Sequence, residues 1–270
     1  MHESGEVEFI TVRALCCCKK GSFVIHYNEE EPQVYIETTV ASHLVARPTR
    51  DAKMAAWQRE TRRFWHDYAN RFEFVTSDVV LNEAGRGDAA AANLRLAALA
   101  ELTVLEALPK ADELCYNLLD AGAIPRSSHP DAEHIAIAAV HGVAYLATWN
   151  YKHLLNVDKQ QLINEVCEAA GFRPVVICTP SELMEAFVMK ETPEKHTETE
   201  LDFDPATYTN PVLEECYRIK REINAEFKTT REYGDYLRAQ SAKWKKLGWK
   251  YRSGPPRRVD NPREEEETEQ

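Results

Sequence analysis

The chain has 270 residues, of which 44% are hydrophobic, so it is long enough for one substantial core or for a medium domain with an appendage. It contains no apolar run of the roughly 18–20 residues that a transmembrane helix needs, which argues against a membrane protein. The first residues, MHESGEVEF, carry acids where a signal peptide carries basic residues. The 7 cysteines include no C-x2-C pair and fit a reducing compartment. We therefore expect a cytoplasmic protein with a single core.

The net charge of −11 is distributed unevenly along the chain. Residues 1–210 hold 19 Lys and Arg against 32 Asp and Glu, whereas residues 211–258 hold 13 against 6 and residues 259–270 hold 1 against 6. An acidic body followed by a basic arm can pair internally, or the arm can bind phosphate groups. Two solvated surfaces of opposite sign are the simpler alternative.

Composition also divides the chain into five segments. Residues 191–209 are polar with little periodic apolar content and indicate a linker, and residues 253–270 indicate a disordered acidic tail. Residues 1–32 hold two strand-like runs, 6–15 and 22–27, on either side of three adjacent cysteines. This segment is either a genuine N-terminal extension or upstream sequence read through from a misplaced start codon. Between them lie the body, residues 33–190, and the arm, residues 210–252.

In chain order, the body alternates short apolar runs with helical patterns. The predicted strands are 33–36, 74–76, 103–105 as an edge strand, 143–148 and 175–179. The predicted helices are a stretch that follows Thr38 and Thr39, 51–72 with Asp51 as N-cap, a short one from 77 or 78 through 83, 88–100, 111–121, 131–142 and 162–170. This alternation predicts an α/β fold, with a parallel sheet flanked by helices on both faces. In such a fold, the residues that bind ligands lie at the carboxyl ends of the strands.

Four polar side chains follow or approach those strand ends. Glu37 directly follows strand 33–36, Glu83 lies about two turns after strand 74–76, Asp131 lies in the first turn of its helix, and Asn150 follows strand 143–148. Each acid alone is better explained as a helix cap or a solvated residue. If all four side chains line one crevice, their oxygen atoms form a site that favours a hard cation such as Mg²⁺ or Mn²⁺. Such an ion supports phosphodiester hydrolysis by activating water.

Three segments of the body carry a resemblance to a known family: VYIETTVASHL, TSDVVLNEAGRGD and HPDAEHIAIAAVHGVAYLATWNYKHL. They resemble PIN-domain toxins of the VapC-like type over residues 33–190. The resemblance implies a parallel-sheet nuclease fold and a Mg²⁺- or Mn²⁺-dependent endoribonuclease of a toxin–antitoxin system. It implies a catalytic set of Glu37, Glu83, Asp131 and Asn150, with Glu37, Asp131 and Asn150 as metal ligands and the hydroxyls of Thr38 and Thr148 beside them.

Two residues depart from the family pattern. The first acid of the family is an aspartate, which here is Glu37, and its fourth acid is an aspartate, which here is the uncharged Asn150. The lost charge weakens the expected affinity for a divalent cation. A catalytically impaired PIN-fold module that binds RNA or protein is therefore the alternative function.

Nearby basic residues offer further contacts. Lys152 and His153 lie close beyond Asn150 and are candidate phosphate contacts. His134 lies three residues after Asp131 on the same predicted helix, and such a residue is more often a packing or surface histidine.

The arm contains two amphipathic helical patterns. Asn210 and Pro211 form a helix start, and an apolar stripe follows through residues 212, 216, 219, 223 and 227. A second stripe runs from 233 to 247 and ends at Gly248. Two such helices are too small to form a core alone, so we expect them to dock. The segment NPVLEECYRIKREINAEF resembles the short antitoxins encoded beside such toxins.

The resemblance suggests a toxin fused to its antitoxin, with restraint acting in cis or across a homodimer, and with a separate antitoxin as the alternative partner. A basic residue between 243 and 258 would then displace the metal. RNA binding by the arm is the rival interpretation, since Trp244, Trp249 and Tyr251 alternate with Lys243, Lys245, Lys246, Lys250 and Arg252. These aromatic residues would otherwise simply complete the apolar face of the docked arm.

Overall fold

A computed structural model describes residues 9–13, 22–26, 32–191, 204, 208–252 and 256. Near the N-terminus, β1 (Phe9–Arg13) and β2 (Ser22–His26) form an antiparallel pair, which confirms strands at the two predicted runs. The three adjacent cysteines lie outside the described residues, as do nearly all of the predicted linker and of the acidic tail.

The main sheet has six strands, and all of its neighbouring pairs are parallel. These strands are β3 (Gln33–Ile36), β4 (Glu73–Ser77), β5 (Thr103–Leu105), β6 (Tyr145–Ala147), β7 (Val176–Cys178) and β8 (Tyr251–Arg252). They are ordered β7-β6-β3-β4-β5-β8. The prediction that β5 is an edge strand is wrong, because the arm adds β8 outside it. A strand of two residues is too short to give a periodic signal.

Ten α-helices flank the sheet in the described part of the chain. In order they are α1 (Thr38–Val45), α2 (Ala52–Asp67), α3 (Asp78–Ala84), α4 (Ala89–Leu99), α5 (Pro109–Asp120), α6 (His129–Val140), α7 (Val157–Ala169), α8 (Pro180–Glu191), α9 (Pro211–Glu226) and α10 (Thr230–Lys246). The predicted α/β fold with a C-terminal helical arm is therefore confirmed. α8 was not predicted, although Thr179 and Glu182 form a capping box at its start. None of the helices described here has the length and apolar character needed to cross a membrane.

One hydrophobic core unites the body and the arm. All residues of α6 are buried, and so are the strand residues Val34, Tyr35 and Ile36. The arm adds side chains to the same core: Leu213, Ile219 and Ile223 from α9, and Tyr233 and Leu237 from α10. As its apolar stripes predicted, the arm docks, and in this structure it docks on its own chain.

Candidate functional site

Three carboxylates meet at the carboxyl ends of the central strands. Glu37 directly follows β3 and is the N-cap of α1, Glu83 belongs to α3 behind β4, and Asp131 lies in the first turn of α6. All three are completely buried. The parallel pairing of β3 with β4 and β6 brings these elements to one edge of the sheet. The residues that the sequence singled out therefore share one site, which we call the acidic cluster.

The cation at the acidic cluster is Lys220, from α9 of the arm. Its Nζ lies 3.0 Å from Glu37 Oε1, 3.0 Å from Glu83 Oε1 and 3.1 Å from Asp131 Oδ1. The Lys220 side chain is itself buried. Charges from four distant parts of the chain thus converge on one point.

The prediction that a residue between 243 and 258 reaches the carboxylates is wrong for the part of that segment that the structure describes. Lys245 pairs with Glu106 at 2.7 Å and Lys250 pairs with Glu101 at 3.4 Å, because α10 and β8 cover the β5 side of the body. Lys220 was missed, although the sequence carries a signal for it. It falls within the buried stripe of α9, four residues after Cys216 and three before Ile223.

The aromatic residues of this segment pack on the body. Trp244, Trp249 and Tyr251 contact the core, and the Tyr251 hydroxyl donates a hydrogen bond to Asp78. They complete the face of the docked arm, which was the simpler of the two interpretations. RNA binding by this segment stays a prediction.

Each carboxylate uses one oxygen for anchoring and turns the other toward Lys220. Glu37 Oε2 accepts hydrogen bonds from the Thr39 amide at 2.8 Å and from the Thr148 hydroxyl at 2.9 Å. Glu83 Oε2 accepts one from the Thr38 hydroxyl. The anchoring fixes the direction of the remaining oxygens, so the site is preorganised for a cation.

Asp131 follows this rule only in part. Its Oδ2 lies 2.9 Å from His153 Nδ1, whereas Oδ1, which faces Lys220, also accepts a hydrogen bond from the amide nitrogen of Asn150 at 3.0 Å. The amide oxygen of Asn150 accepts the backbone N–H of His153 at 3.1 Å. Asn150 therefore presents a donor to the cluster in this arrangement, and its role as a ligand stays a prediction.

Lys152 and His153 differ in position. His153 contacts the cluster and keeps 20% of its side chain exposed, so it can meet a ligand from solvent. Lys152 lies instead over the ring of Tyr217 on α9, 5.6 Å from the ring centroid. Of the two candidate phosphate contacts, only His153 borders the acidic cluster.

His134 belongs to the site, although the sequence favoured a packing role. Its Nε2 lies 2.9 Å from Lys220 Nζ and 3.3 Å from Glu83 Oε2. Contact with an ammonium makes Nε2 an acceptor, which leaves the ring proton on Nδ1. Nδ1 lies 2.8 Å from the hydroxyl of Tyr35, so the ring is held by a hydrogen bond from its other side.

The charges of the cluster stabilise one another. Burial alone would raise the pKa values of Asp131 and Glu83, but the Lys220 ammonium holds both pKa values below their usual range, helped by the hydrogen bond of His153 at Asp131 and of Thr38 at Glu83. Burial would lower the pKa of Lys220, yet Asp131, Glu83 and Glu37 raise that pKa well above its ordinary value. The Lys220 ammonium and the carboxylates of Asp131 and Glu83 are therefore charged at neutral pH.

The donor set fits a divalent metal ion. Its converging atoms are carboxylate oxygens, the ligands that Mg²⁺ and Mn²⁺ prefer, and three carboxylates carry more charge than one ammonium balances. Oxygens of Glu37 and Glu83 lie within 4.8 Å of each other and of a His134 ring nitrogen. Lys220 contacts the same oxygens that such an ion would bind, so the two cations would compete.

Comparisons with protein-family models, with curated proteins and with solved structures found no match to this chain.

Proposed function

We propose that this protein is a Mg²⁺- or Mn²⁺-dependent endoribonuclease of the PIN-domain, VapC-like type, restrained by its own antitoxin-like arm. One observation carries the proposal: carboxylate oxygens from three separate elements all lie within 3.1 Å of a single cationic atom. Burying three carboxylates together is costly unless a cation balances them. A fold that buries three carboxylates together therefore contains a binding site for a cation.

A divalent ion held there would activate water and neutralise charge on the scissile phosphate. Glu37, Glu83 and Asp131 would hold the ion through the oxygens that now face Lys220. Thr38 and Thr148 keep their carboxylates in place through the other oxygens. His153, at the exposed side of Asp131, would orient the RNA backbone.

The restraint follows from the position of Lys220. Its ammonium pairs with the three oxygens that the metal ion needs, so cleavage requires α9 to withdraw or the ion to displace the lysine. The contacts are made within one chain, so this mode of restraint needs no partner. The homodimer and a separate antitoxin stay predictions.

The test compares full-length variants on a mixed, structured RNA with Mn²⁺, with Mg²⁺ and with EDTA. Lys220→Met keeps the length and apolar stem of the side chain and removes its charge. We expect the rate of metal-dependent cleavage to be at least about tenfold above that of the native chain, because the metal ion no longer competes with the ammonium. Each 1.4 kcal/mol gained in the free energy of metal binding lowers the dissociation constant tenfold. Lys245→Met, which removes a surface lysine of the same arm, should cleave at the native rate.

The double variant Lys220→Met/Asp131→Asn identifies the site. It should show no metal-dependent cleavage, because one of the three ion-binding carboxylates is neutral. Cleavage that persists in the double variant would come from a contaminant or from another site. A folded Lys220→Met protein that cleaves nothing with either ion would contradict the nuclease proposal.

The orientation of Asn150 favours a second candidate, the catalytically impaired binding module. Its amide donates to Asp131 where the family has a fourth carboxylate. Asn150→Asp in the Lys220→Met background separates the two. Cleavage that appears only after this change would indicate an impaired native site, whereas cleavage already present before it would support the enzyme.

A further inference from the structure

A second buried cluster lies between α5 and α6 and shares no residue with the acidic cluster. It consists of Cys115 on α5 and of His129 and Glu133 on α6. One ligand atom from each, a sulfur, a ring nitrogen and a carboxylate oxygen, all lie within 4.8 Å of one another. His129 and Glu133 are four residues apart and therefore project from one face of the helix.

The cluster is buried but not satisfied. Cys115 and Glu133 are fully buried and His129 is 4% exposed. Within the described residues, neither carboxylate oxygen of Glu133 accepts a hydrogen bond of ordinary geometry, although the weakly donating Cys115 thiol faces this carboxylate, and Nε2 of His129 has no hydrogen-bond partner. His129 Nε2 is 3.7 Å from Glu133 Oε2, too far for a hydrogen bond. A buried carboxylate without a full hydrogen bond is costly, which points to a cation between these groups.

We infer that Cys115, His129 and Glu133 form a binding site for a thiophilic transition-metal ion of the Zn²⁺ type. Thiolate, imidazole and carboxylate are the ligands that Zn²⁺ takes in proteins, whereas Mg²⁺ avoids sulfur. Zinc–ligand bonds of about 2.0–2.3 Å require ligand atoms that are closer together than the present ones, which takes side-chain shifts of about 1 Å. Such shifts need only rotation about side-chain bonds.

The surroundings favour a cation. The carboxylate of Glu133 lies beside the Cys115 thiol, and burial together with this carboxylate raises the pKa of the thiol well above its usual value. Asp112, one turn before Cys115, adds to this negative potential, although its carboxylate pairs with Arg238. A bound cation would therefore offset the charge of Glu133.

The position of the cluster suggests a structural role. The ring of Tyr233 on α10 packs against His129 with centroids 5.2 Å apart, and the backbone N–H of His129 donates to Asn224 on α9 at 3.1 Å. Both contacts come from the arm. The metal ion would tie α5 to α6 directly beneath the docked arm and fix the surface on which the arm rests.

The first test is Co²⁺ titration of the metal-free full-length protein, because Co²⁺ reports thiolate ligation by its charge-transfer absorption. We expect one Co²⁺ per chain with that absorption, reversed by Zn²⁺. Cys115→Ser should lose it, whereas Cys167→Ser, which alters another buried cysteine, should keep it. Asp131→Asn should also keep it, which separates this site from the acidic cluster. Absence of the absorption in the native chain, or its survival in Cys115→Ser, would overturn the inference.

The second test is thermal unfolding with and without Zn²⁺. The native chain and Cys167→Ser should gain several degrees in Tm, and Glu133→Gln should gain none. Without metal, Glu133→Gln should be at least as stable as the native chain, since it removes an unpaired buried carboxyl. Equal Zn²⁺ shifts in the native chain and in Glu133→Gln would contradict the site. Neither test depends on nuclease activity.

Discussion

The two helices of the arm use charge in opposite ways. α9 places one lysine within its apolar stripe and buries it among three carboxylates. α10 carries Lys243, Lys245 and Lys246 in its last turn, where the helix dipole stabilises cations, and Lys245 pairs with Glu106 at the surface. The denser cluster of positive charge thus lies away from the acidic cluster. The position of a basic residue within an apolar stripe is therefore a better sign that the residue is buried than the number of basic residues around it.

The largest loss of stability is expected for Lys220→Met in the absence of divalent ions. Its loss leaves three buried carboxylates without their cation, which should lower the free energy of unfolding by roughly 3–5 kcal/mol. The matched change on α10, Lys245→Met, breaks a surface pair and should cost about 0–1 kcal/mol. Urea unfolding monitored by circular dichroism measures both. Equal losses would contradict the contrast between the helices.

Asp78, which lies where α10 packs on the body, should make the stability of the folded protein depend on pH. Burial raises its pKa from 3.8 to about 6, although Ser241 and Tyr251 of the arm both donate hydrogen bonds to it. The folded state therefore holds a proton that the unfolded state releases. The contribution of Asp78 to stability should therefore be largest below about pH 4 and should fall by about 3 kcal/mol as the pH rises to about 6. Urea unfolding between pH 4 and 7 should show this loss for the native chain but not for Asp78→Asn.

Asp131 on the α9 side should respond in the opposite sense. Its pKa lies below the usual value, so its stabilisation is present above the pKa of an unfolded aspartate and is lost as the pH falls below it. Asp131→Asn should abolish that part of the acid destabilisation. An unchanged acid transition in this variant would show that the ion pair with Lys220 contributes little.

A divalent ion should replace Lys220 in the variant that lacks it. Mg²⁺ at 100 times its dissociation constant would stabilise Lys220→Met by about 2.7 kcal/mol. The native chain should gain less, because its own ammonium competes for the same oxygens. The double variant Lys220→Met/Asp131→Asn should gain little, and Tm shifts measured with and without Mg²⁺ test all three. A shift that is equal in the native chain would indicate binding elsewhere.

A smaller effect is expected at Gly234, where α10 packs against α5. A Cβ at this position would collide with the carboxylate of Asp112, which also pairs with Arg238. Glycine to alanine in a helix normally stabilises by up to about 1 kcal/mol, but here Gly234→Ala should destabilise by about 1–3 kcal/mol. In an Asp112→Ala background the same change should become stabilising. A double-mutant cycle in urea unfolding detects this reversal of sign.

Local patterns were enough to predict most of the fold. The β3 run matches the structure residue for residue, and Asp51, Ser77 and Asn210 act as helix caps where capping residues were expected. Ends of other elements shift by a few residues, because helix and strand ends depend on packing as well as on the local sequence. α8 and β8 were missed, the first despite its capping box and the second because two residues carry no period.

The sequence by itself indicated that Glu37, Glu83 and Asp131 would meet, because Glu37 and Glu83 come after strands of one parallel sheet and Asp131 begins the helix that leads back to another strand of that sheet. All three positions therefore lie at the edge where the parallel strands end. The tertiary structure alone decided which cation meets them, since that choice depends on how α9 lies across α1, α3 and α6. It also decided that Asn150 turns its donor to Asp131 and that Cys115, His129 and Glu133 come together. These contacts join residues across helices, and spacing along the chain carries no information about the rotation of one packed helix against another.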